Sequence, residues 1–128
     1  MDVSPSSKSY RRNDIMLYMF LSIVIPTLNS EKTLGACLEA IRSQSLPKDA
    51  YEIVIADAGS SDRTLEIARD FTVDTVTTNP LKTGEAGKTA GIKAAKGDII
   101  ALVDSDNLLP DPSWLERMLA PFADPEII

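Results

Sequence analysis

Histidine is absent from this chain of 128 residues, and cysteine occurs once, at Cys37. Zinc and thiolate metal sites are built from several His and Cys ligands, so the composition argues against such a site. A single cysteine cannot form a disulfide within one chain, which fits a reducing compartment. We therefore expect a cytoplasmic protein, with any attachment to the cytoplasmic face of a membrane made through segments outside this sequence.

Long apolar runs are also lacking. The stretch over residues 15–25 follows Arg11 and Arg12 like a signal peptide, but Asp14 interrupts the transition between them. The stretch is too short to span a bilayer, and no cleavage site of small residues follows it. We interpret residues 1–15 as a flexible tail and residues 16–128 as one domain.

An excess of basic residues is missing as well. Thirteen Lys and Arg stand against nineteen Asp and Glu, for a net charge of −6. This balance gives no reason to expect a nucleic acid as partner. An acidic protein that binds an anionic nucleotide needs a local cation or a metal ion.

What the chain does contain is an alternation of strand and helix patterns. Strands are predicted at residues 18–26, 51–56, 73–77 and 98–103. Four helices are predicted: one after the cap at 30–33, one over 62–71, one from the loop 84–87 to about residue 96 with Gly97 as its stop, and one over 112–122. Apolar residues predicted to face inward on the second and fourth helices are Leu65, Ala68, Phe71, Leu115, Met118, Leu119 and Phe122.

This alternation predicts an α/β fold with a mainly parallel sheet flanked by helices. Ligand-binding loops of such sheets follow the carboxyl ends of the strands, where the winding direction reverses. With the strand order 3-2-1-4, the loops 26–31, 57–62 and 104–107 converge on one cleft.

The sharpest chemical signal is Asp104-Ser105-Asp106, which follows the apolar strand IIALV. Two neighbouring carboxylates at a strand end repel each other unless a cation lies between them. Hard oxygen ligands suit Mn²⁺ or Mg²⁺. A helix-capping role is the weaker interpretation, because Asp111-Pro112 supplies the cap signal for the next helix.

Charged residues in the other loops are less specific. Asp57 precedes a turn and can accept hydrogen bonds from a nucleobase, whereas Ser61 and Asp62 are read as helix caps. Glu31 can bind a ribose hydroxyl or compensate a helix dipole. Lys88 can pair with a diphosphate or lie in solvent. A P-loop is rejected, because the pattern requires glycine where Lys82 stands.

Four segments in this order resemble family 2 glycosyltransferases: LSIVIPTLNSEKTL (21–34), YEIVIADAGSSDRTLEIA (51–68), GKTAGIKAAKGDIIALVDSD (87–106) and NLLPDPSWLERML (107–119). The resemblance covers residues 20–122 and implies the GT-A fold, whose first half binds a nucleotide-diphospho-sugar. It implies a nucleoside pocket at Thr27 and Glu31, with Asp57 at the base. The full donor-binding set implied is Pro26, Thr27, Asn29, Glu31, Asp57, Lys88, Asp104 and Ser105, with Asp104 and Asp106 holding Mn²⁺ or Mg²⁺.

The resemblance further implies inverting transfer of the sugar to an acceptor hydroxyl or phosphate on a glycan or lipid-linked acceptor. A UDP-sugar is the favoured donor and a GDP-sugar the second choice. No residue here is a candidate for the catalytic base, which we expect beyond Ile128 in a chain that looks truncated.

Three alternatives stay open at this point. The first is a non-catalytic nucleotide-sugar-binding remnant or partner module. The second is a haloacid-dehalogenase-type phosphatase, which usually carries its Asp-x-Asp on the first strand. The third is a nucleotidyltransferase, for which a Gly-rich basic loop after the first strand is missing.

Overall fold

The computed structural model describes residues 19–123, so the predicted tail at 1–15 and the start of the predicted first strand lie outside the described residues. Four strands form one sheet in the order β3-β2-β1-β4, and every pairing is parallel. The predicted fold class and strand order are both confirmed. The strands are β1 (Leu21–Thr27), β2 (Tyr51–Asp57), β3 (Thr75–Thr78) and β4 (Ile99–Leu102).

Helices connect and cover these strands. They are α1 (Leu34–Arg42), α2 (Thr64–Asp70), α3 (Gly84–Ala94) and α4 (Trp114–Leu119), with short 3-10 helices at Lys48–Ala50 and Ala120–Ala123. Among residues 19–123, no helix has the length and apolar character needed to cross a bilayer.

The hydrophobic core lies on one face of the sheet. Leu21, Ile23 and Ile25 alternate along β1 toward this face, and Ile53 and Ile55 continue the pattern on β2. The buried side chains of α1, α2 and α4 pack there: Leu34, Cys37, Leu38, Ile41, Ala68, Leu115 and Leu119. The opposite face, to which Val24 points, is covered by α3. The direction of winding therefore reverses between β1 and β4. This places the crevice for a ligand at the carboxyl ends of those two strands.

The predicted face of α2 is partly wrong. Thr64 and Ala68 are buried, whereas Leu65 is 37% exposed. Thr64 turns inward because its hydroxyl accepts a hydrogen bond from the Ser30 backbone N–H at 2.7 Å and donates to Asp62 Oδ1 at 2.5 Å. Asp62 also accepts from the Thr64 backbone N–H at 2.9 Å, so it bonds the first residue of α2, although the N-cap position itself is Arg63 rather than Ser61 or Asp62.

The predicted last helix is too long and its apolar face too wide. α4 ends at Leu119, and Met118 and Phe122 are 54% and 37% exposed. The N-cap is Ser113 rather than the predicted Asp111, whose Oδ1 accepts from the Ser113 backbone N–H at 3.0 Å just before the helix begins. The first helix is capped differently from the prediction: the Ser30 carbonyl, not a side chain, accepts from the Leu34 N–H at 2.9 Å.

Glycine in and after α3 has a packing role that the sequence did not reveal. The segment 84–87 is helical rather than a loop, and α3 ends at Ala94 with Ala95 as its cap, so Gly97 is not the stop. A Cβ at Gly97 would lie 2.6 Å from the backbone nitrogen of Ser22. Gly97 is therefore needed for a close approach of the α3–β4 connection to β1.

Candidate functional site

A cleft of about 540 Å³ opens at the carboxyl ends of the strands. Residues from the loops after β1, β3 and β4 and from the start of α3 form most of its walls, with Ala58 after β2. The lining residues are Pro26, Thr27, Leu28, Asn29, Ser30, Thr33, Ala58, Asn79, Lys82, Thr83, Gly84, Lys88, Asp104, Ser105 and Asp106. The cleft thus lies where parallel-sheet topology predicts a ligand site.

The loops after β1 and β2 are joined by side-chain hydrogen bonds. Thr27 Oγ1 donates to Asp57 Oδ1 at 2.7 Å, and the Asn29 backbone N–H donates to Ser60 Oγ at 2.8 Å. Asn29 Oδ1 in turn accepts from the Ser61 N–H at 2.8 Å, while Asn29 itself has a left-handed backbone with φ 49°. These contacts hold the two loops as one rigid wall.

Asp57 is the centre of this network. It is 5% exposed. Its Oδ1 also accepts from Ser60 Oγ at 2.6 Å, and Oδ2 accepts from the backbone N–H groups of Gly59 at 3.0 Å and Ser60 at 2.8 Å. Burial alone would raise the pKa of Asp57, but the hydrogen bonds from Ser60, Thr27 and Gly59 outweigh it and hold the pKa below its usual value. The carboxylate is therefore ionised and used within the chain.

Asp104 and Asp106 stand exposed on the loop after β4. The Asp104 backbone N–H donates to Asn107 Oδ1 at 3.0 Å, and the Asn107 N–H donates back to the Asp104 carbonyl at 3.0 Å, which closes a tight turn. Between the two aspartates, the Ser105 hydroxyl lies 3.0 Å from the hydroxyl of Ser30 in the β1 loop. The turn thus fixes the backbone that carries both carboxylates.

The α1 side of this turn is supported by Cys37. Its Sγ donates to the Asp104 carbonyl at 3.7 Å from beneath the loop. Burial, with Asp106 and Asp104 close by, raises the pKa of the Cys37 thiol to about 11. Cys37 therefore stays a neutral thiol and acts as packing, as the sequence predicted.

The donor set fits a hard divalent cation. Within residues 19–123, no cationic side chain lies within salt-bridge distance of Asp104 or Asp106, and no hydrogen bond uses their carboxylate oxygens. No third Asp, Glu, His or Cys of the described part of the chain joins them. Two carboxylates leave the remaining coordination positions to water and phosphate oxygens, as Mg²⁺ and Mn²⁺ commonly require.

The start of α3 forms the opposite wall. Thr83 caps the helix, since its Oγ1 accepts from the Ala86 N–H at 3.0 Å. A Cβ at Gly87 would lie 3.0 Å from Pro26 Cβ, and one at Gly91 would lie 2.2 Å from Val24 Cγ1. Because these glycines let α3 lie directly on β1, Lys88 lines the cleft, where its Nζ is 3.4 Å from Glu85 Oε1.

Seven of the nine residues proposed from the sequence line this one cleft: Pro26, Thr27, Asn29, Lys88, Asp104, Ser105 and Asp106. The other two do not line it. Glu31 is exposed, and its backbone N–H donates to Asp62 Oδ2 at 3.2 Å. Asp57 is buried behind the wall that it organises.

One loop of the cleft was not predicted from the sequence. Asn79, Lys82 and Thr83, between β3 and α3, and Gly84 at the start of α3 all line the cleft. A signal was available, because this loop also follows the carboxyl end of a parallel strand. The short polar pattern of β3, whose side chains alternate between half-buried and exposed, hid that strand end.

Comparison with known proteins gives a consistent result. The family model described as Glycosyl transferase family 2 matches residues 22–128. Glycosyltransferase AglE of Haloferax volcanii is 36% identical over 103 residues, which cover 77% of this chain and 34% of AglE. Poly(ribitol-phosphate) beta-glucosyltransferase of Bacillus spizizenii is 36% identical over 103 residues, covering 76% of this chain and 16% of that protein. The chain therefore spans about a third or less of these relatives.

Solved structures agree with this match. S. aureus TarS 1-349 in complex with UDP-GlcNAc aligns with a TM-score of 0.70 and 30% identity, covering 80% of this chain and 30% of that one. Mannosyltransferase PcManGT from Pyrobaculum calidifontis, in complex with GDP-Man and Mn²⁺, aligns with a TM-score of 0.74 and 25% identity, covering 84% and 33%. The predicted GT-A fold is confirmed.

Proposed function

Because the chain belongs to glycosyl transferase family 2, we propose that residues 19–123 form the donor-binding part of a glycosyltransferase. The donor is a nucleotide-diphospho-sugar, and the sugar is transferred with inversion to a hydroxyl or phosphate of a glycan or lipid-linked acceptor. Because the chain belongs to this family, we no longer consider the phosphatase and nucleotidyltransferase alternatives.

One observation carries the proposal. Lys88 and the pair Asp104 and Asp106 line the same cleft. Lys88 belongs to the helix that precedes β4, whereas the two aspartates belong to the loop that follows it. A cation and two metal-binding carboxylates around one opening match the charge pattern of a metal-bound diphosphate. The loops after β1 and β2, joined through Asn29 and Ser60, offer the adjoining surface for the nucleoside.

Asp104 and Asp106 would hold Mn²⁺ or Mg²⁺, which when bound stabilises the negative charge that grows on the departing nucleoside diphosphate. Lys88 binds the diphosphate from the α3 side. Its contact with Glu85 does not compete strongly, since the pair is exposed at the surface and such pairs contribute little. Asp57 supports nucleoside binding indirectly, by fixing the Gly59–Ser60 turn.

We favour UDP over GDP as the nucleotide. The similar TarS structures hold UDP and UDP-GlcNAc at 32% and 30% identity, whereas PcManGT holds GDP-Man at 25% identity.

A second candidate, a module that binds the donor without transferring the sugar, rests on a specific observation. Within residues 19–123, Asp104 and Asp106 are the only carboxylates that line the cleft. Once they bind a metal, the described residues hold no base for the proton of an acceptor hydroxyl. In the transferase proposal this base lies outside the described part of the chain.

Calorimetric titration of UDP and GDP into the purified chain, with and without Mn²⁺, tests donor binding. We expect UDP binding that depends on Mn²⁺ and is lost in Asp106→Asn. Asp49→Asn is the matched control, because Asp49 is exposed on the 3-10 helix before β2, at the far end of the sheet. Absence of nucleotide binding by a chain with a cooperative unfolding transition would overturn the proposal.

Release of UDP from UDP-glucose and UDP-N-acetylglucosamine, measured on a protein that includes any sequence following Ile128, then separates the two candidates. Turnover that is lost in Asp106→Asn supports the transferase. Tight binding with no release of UDP, in the presence of trial acceptors, favours the binding module.

A further inference from the structure

We propose that Lys82 is a second cation for the diphosphate and binds a phosphate oxygen from the wall opposite Asp104 and Asp106. The inference rests on the proposed function and assigns a role to a residue that the sequence pattern left aside as a failed P-loop position. It also assigns a role to the loop between β3 and α3, as the phosphate-binding loop of the cleft.

The position of Lys82 in the sheet supports this assignment. Lys82 follows β3 and the two aspartates follow β4, which are the outer strands of the order β3-β2-β1-β4. Three strand spacings separate these edges, or roughly 14 Å. The Lys82 side chain, which extends over the loop after β2, and a metal held by the aspartates narrow this separation from both edges, so that a diphosphate fits between them.

Lys82 reaches across the loop after β2. It lines the main cleft and also a neighbouring pocket formed with Asp57, Gly59 and Ser60. Its Nζ lies 3.9 Å from the position that a Cβ would take on Gly59. The ammonium group thus lies above the turn that Asp57 organises, at the mouth of the cleft.

The backbone at Lys82 is held in a costly conformation. Its φ is 61°, in the left-handed region that side chains with a Cβ disfavour. The buried Asn79 enforces it: the Lys82 N–H donates to the Asn79 carbonyl at 3.1 Å and to Asn79 Oδ1 at 3.2 Å, and Asn79 Nδ2 donates to the Thr83 carbonyl at 2.7 Å. Non-glycine residues in such conformations cluster at ligand sites, which supports the role proposed for Lys82.

The charges around the cleft also favour an anion as the partner of Lys82. Within the described residues, no carboxylate lies within 4.0 Å of the Lys82 ammonium, whereas Lys88 has Glu85 as a neighbour. Lys82 and Lys88 together balance Asp104 and Asp106, and a divalent cation then balances a diphosphate. Lys82 supplies the charge that lets an acidic protein hold this anion.

Titration of UDP in the presence of Mn²⁺ tests the role of the charge. We expect Lys82→Gln to weaken UDP binding by about ten- to a hundredfold, the range for loss of a hydrogen bond to a charged group. Lys82→Arg keeps the charge and is expected to retain most of the affinity. Lys93→Gln is the matched control, because Lys93 belongs to α3, is exposed and does not line the cleft.

Lys82→Gly separates ligand binding from structure. Glycine removes both the charge and the backbone strain, so we expect a higher melting temperature than for wild type together with UDP binding as weak as in Lys82→Gln. A residue that only shapes the loop would instead change stability and affinity in the same direction.

The outcomes are distinguishable. Wild type that binds neither UDP nor GDP overturns the proposed function and the role of Lys82 with it. Wild type that binds UDP, with Lys82→Gln equal to Lys93→Gln, overturns the role of Lys82 alone. Weak binding that Lys82→Gly restores would also overturn it, since the fault would then lie in the backbone.

Discussion

Asp57 shows how the role of a single residue depends on distant partners. The position of Asp57 at the end of a buried strand, near the cleft, was predictable. Its orientation was not, because Thr27 lies thirty residues away in the sequence and donates from the neighbouring strand. Asp104 and Asp106 were easier, since two carboxylates that no other group neutralises have few structural uses.

Asp57→Asn is expected to destabilise the fold by about 1–3 kcal/mol near pH 7, because an amide nitrogen replaces an oxygen that accepts from Gly59 and Ser60. The effect depends on pH. The pKa of Asp57 is lowered in the folded chain, so ionisation stabilises the fold above the ordinary pKa of about 4, and that contribution disappears as the pH falls through the folded value. Urea unfolding at pH 7 and at pH 3 should show a smaller difference from wild type at pH 3.

Asp49→Asn provides the control for this experiment. Asp49 is exposed, and its substitution removes the same formal charge. An equal loss of stability in the two variants would contradict the role given to Asp57. So would a difference between Asp57→Asn and wild type that is as large at pH 3 as at pH 7.

Among the elements, the position of α3 was predicted from its sequence, but the roles predicted for its glycines were wrong. Gly84, Gly87 and Gly97 were interpreted as a loop and a stop, because glycine is the usual signal for both. Gly87 and Gly97 instead allow close contacts with Pro26 and with the backbone of Ser22. No local pattern reveals such a contact, because the neighbouring atoms belong to β1.

Gly91→Ala tests this account of α3. The new Cβ would lie 2.2 Å from Val24 Cγ1, so the buried Val24 side chain or the helix must shift. We expect a loss of stability of about 1–3 kcal/mol, and weaker UDP binding to the extent that the helix, and Lys88 with it, is displaced. Gly35→Ala in α1 is the matched control: its Cβ meets nothing within 4 Å, and alanine should stabilise that helix by about 0.5–1 kcal/mol. Equal effects of the two substitutions in chemical denaturation would contradict the packing role.

For the molecule as a whole, the sheet order was predictable because alternating strands and helices permit few right-handed windings. What covers each apolar surface was not. Met118 and Phe122 follow the period predicted for a helix over 112–122 but are exposed. Ile100 and Leu102 are likewise 37% and 48% exposed on β4. Periodicity identifies an apolar face without identifying the surface against which it packs.

The edge of β4 yields a prediction for the whole molecule. Among residues 19–123, no strand pairs with β4 on its outer side, and Leu102 is exposed beside that edge. Exposed apolar edges promote pairing between copies. We expect Leu102→Lys to reduce concentration-dependent light scattering and to change unfolding stability by no more than about 0.5 kcal/mol. The added charge lowers the magnitude of the net charge, so weaker repulsion between copies cannot explain reduced scattering.

Ile23→Lys is the comparison for a core position. Ile23 is fully buried next to Ala101 of β4, so its substitution should unfold the chain. If Leu102→Lys instead costs several kcal/mol, as a core substitution does, then Leu102 is covered by residues outside 19–123. The size of that cost therefore distinguishes an open sheet edge from one that is completed by another part of the protein.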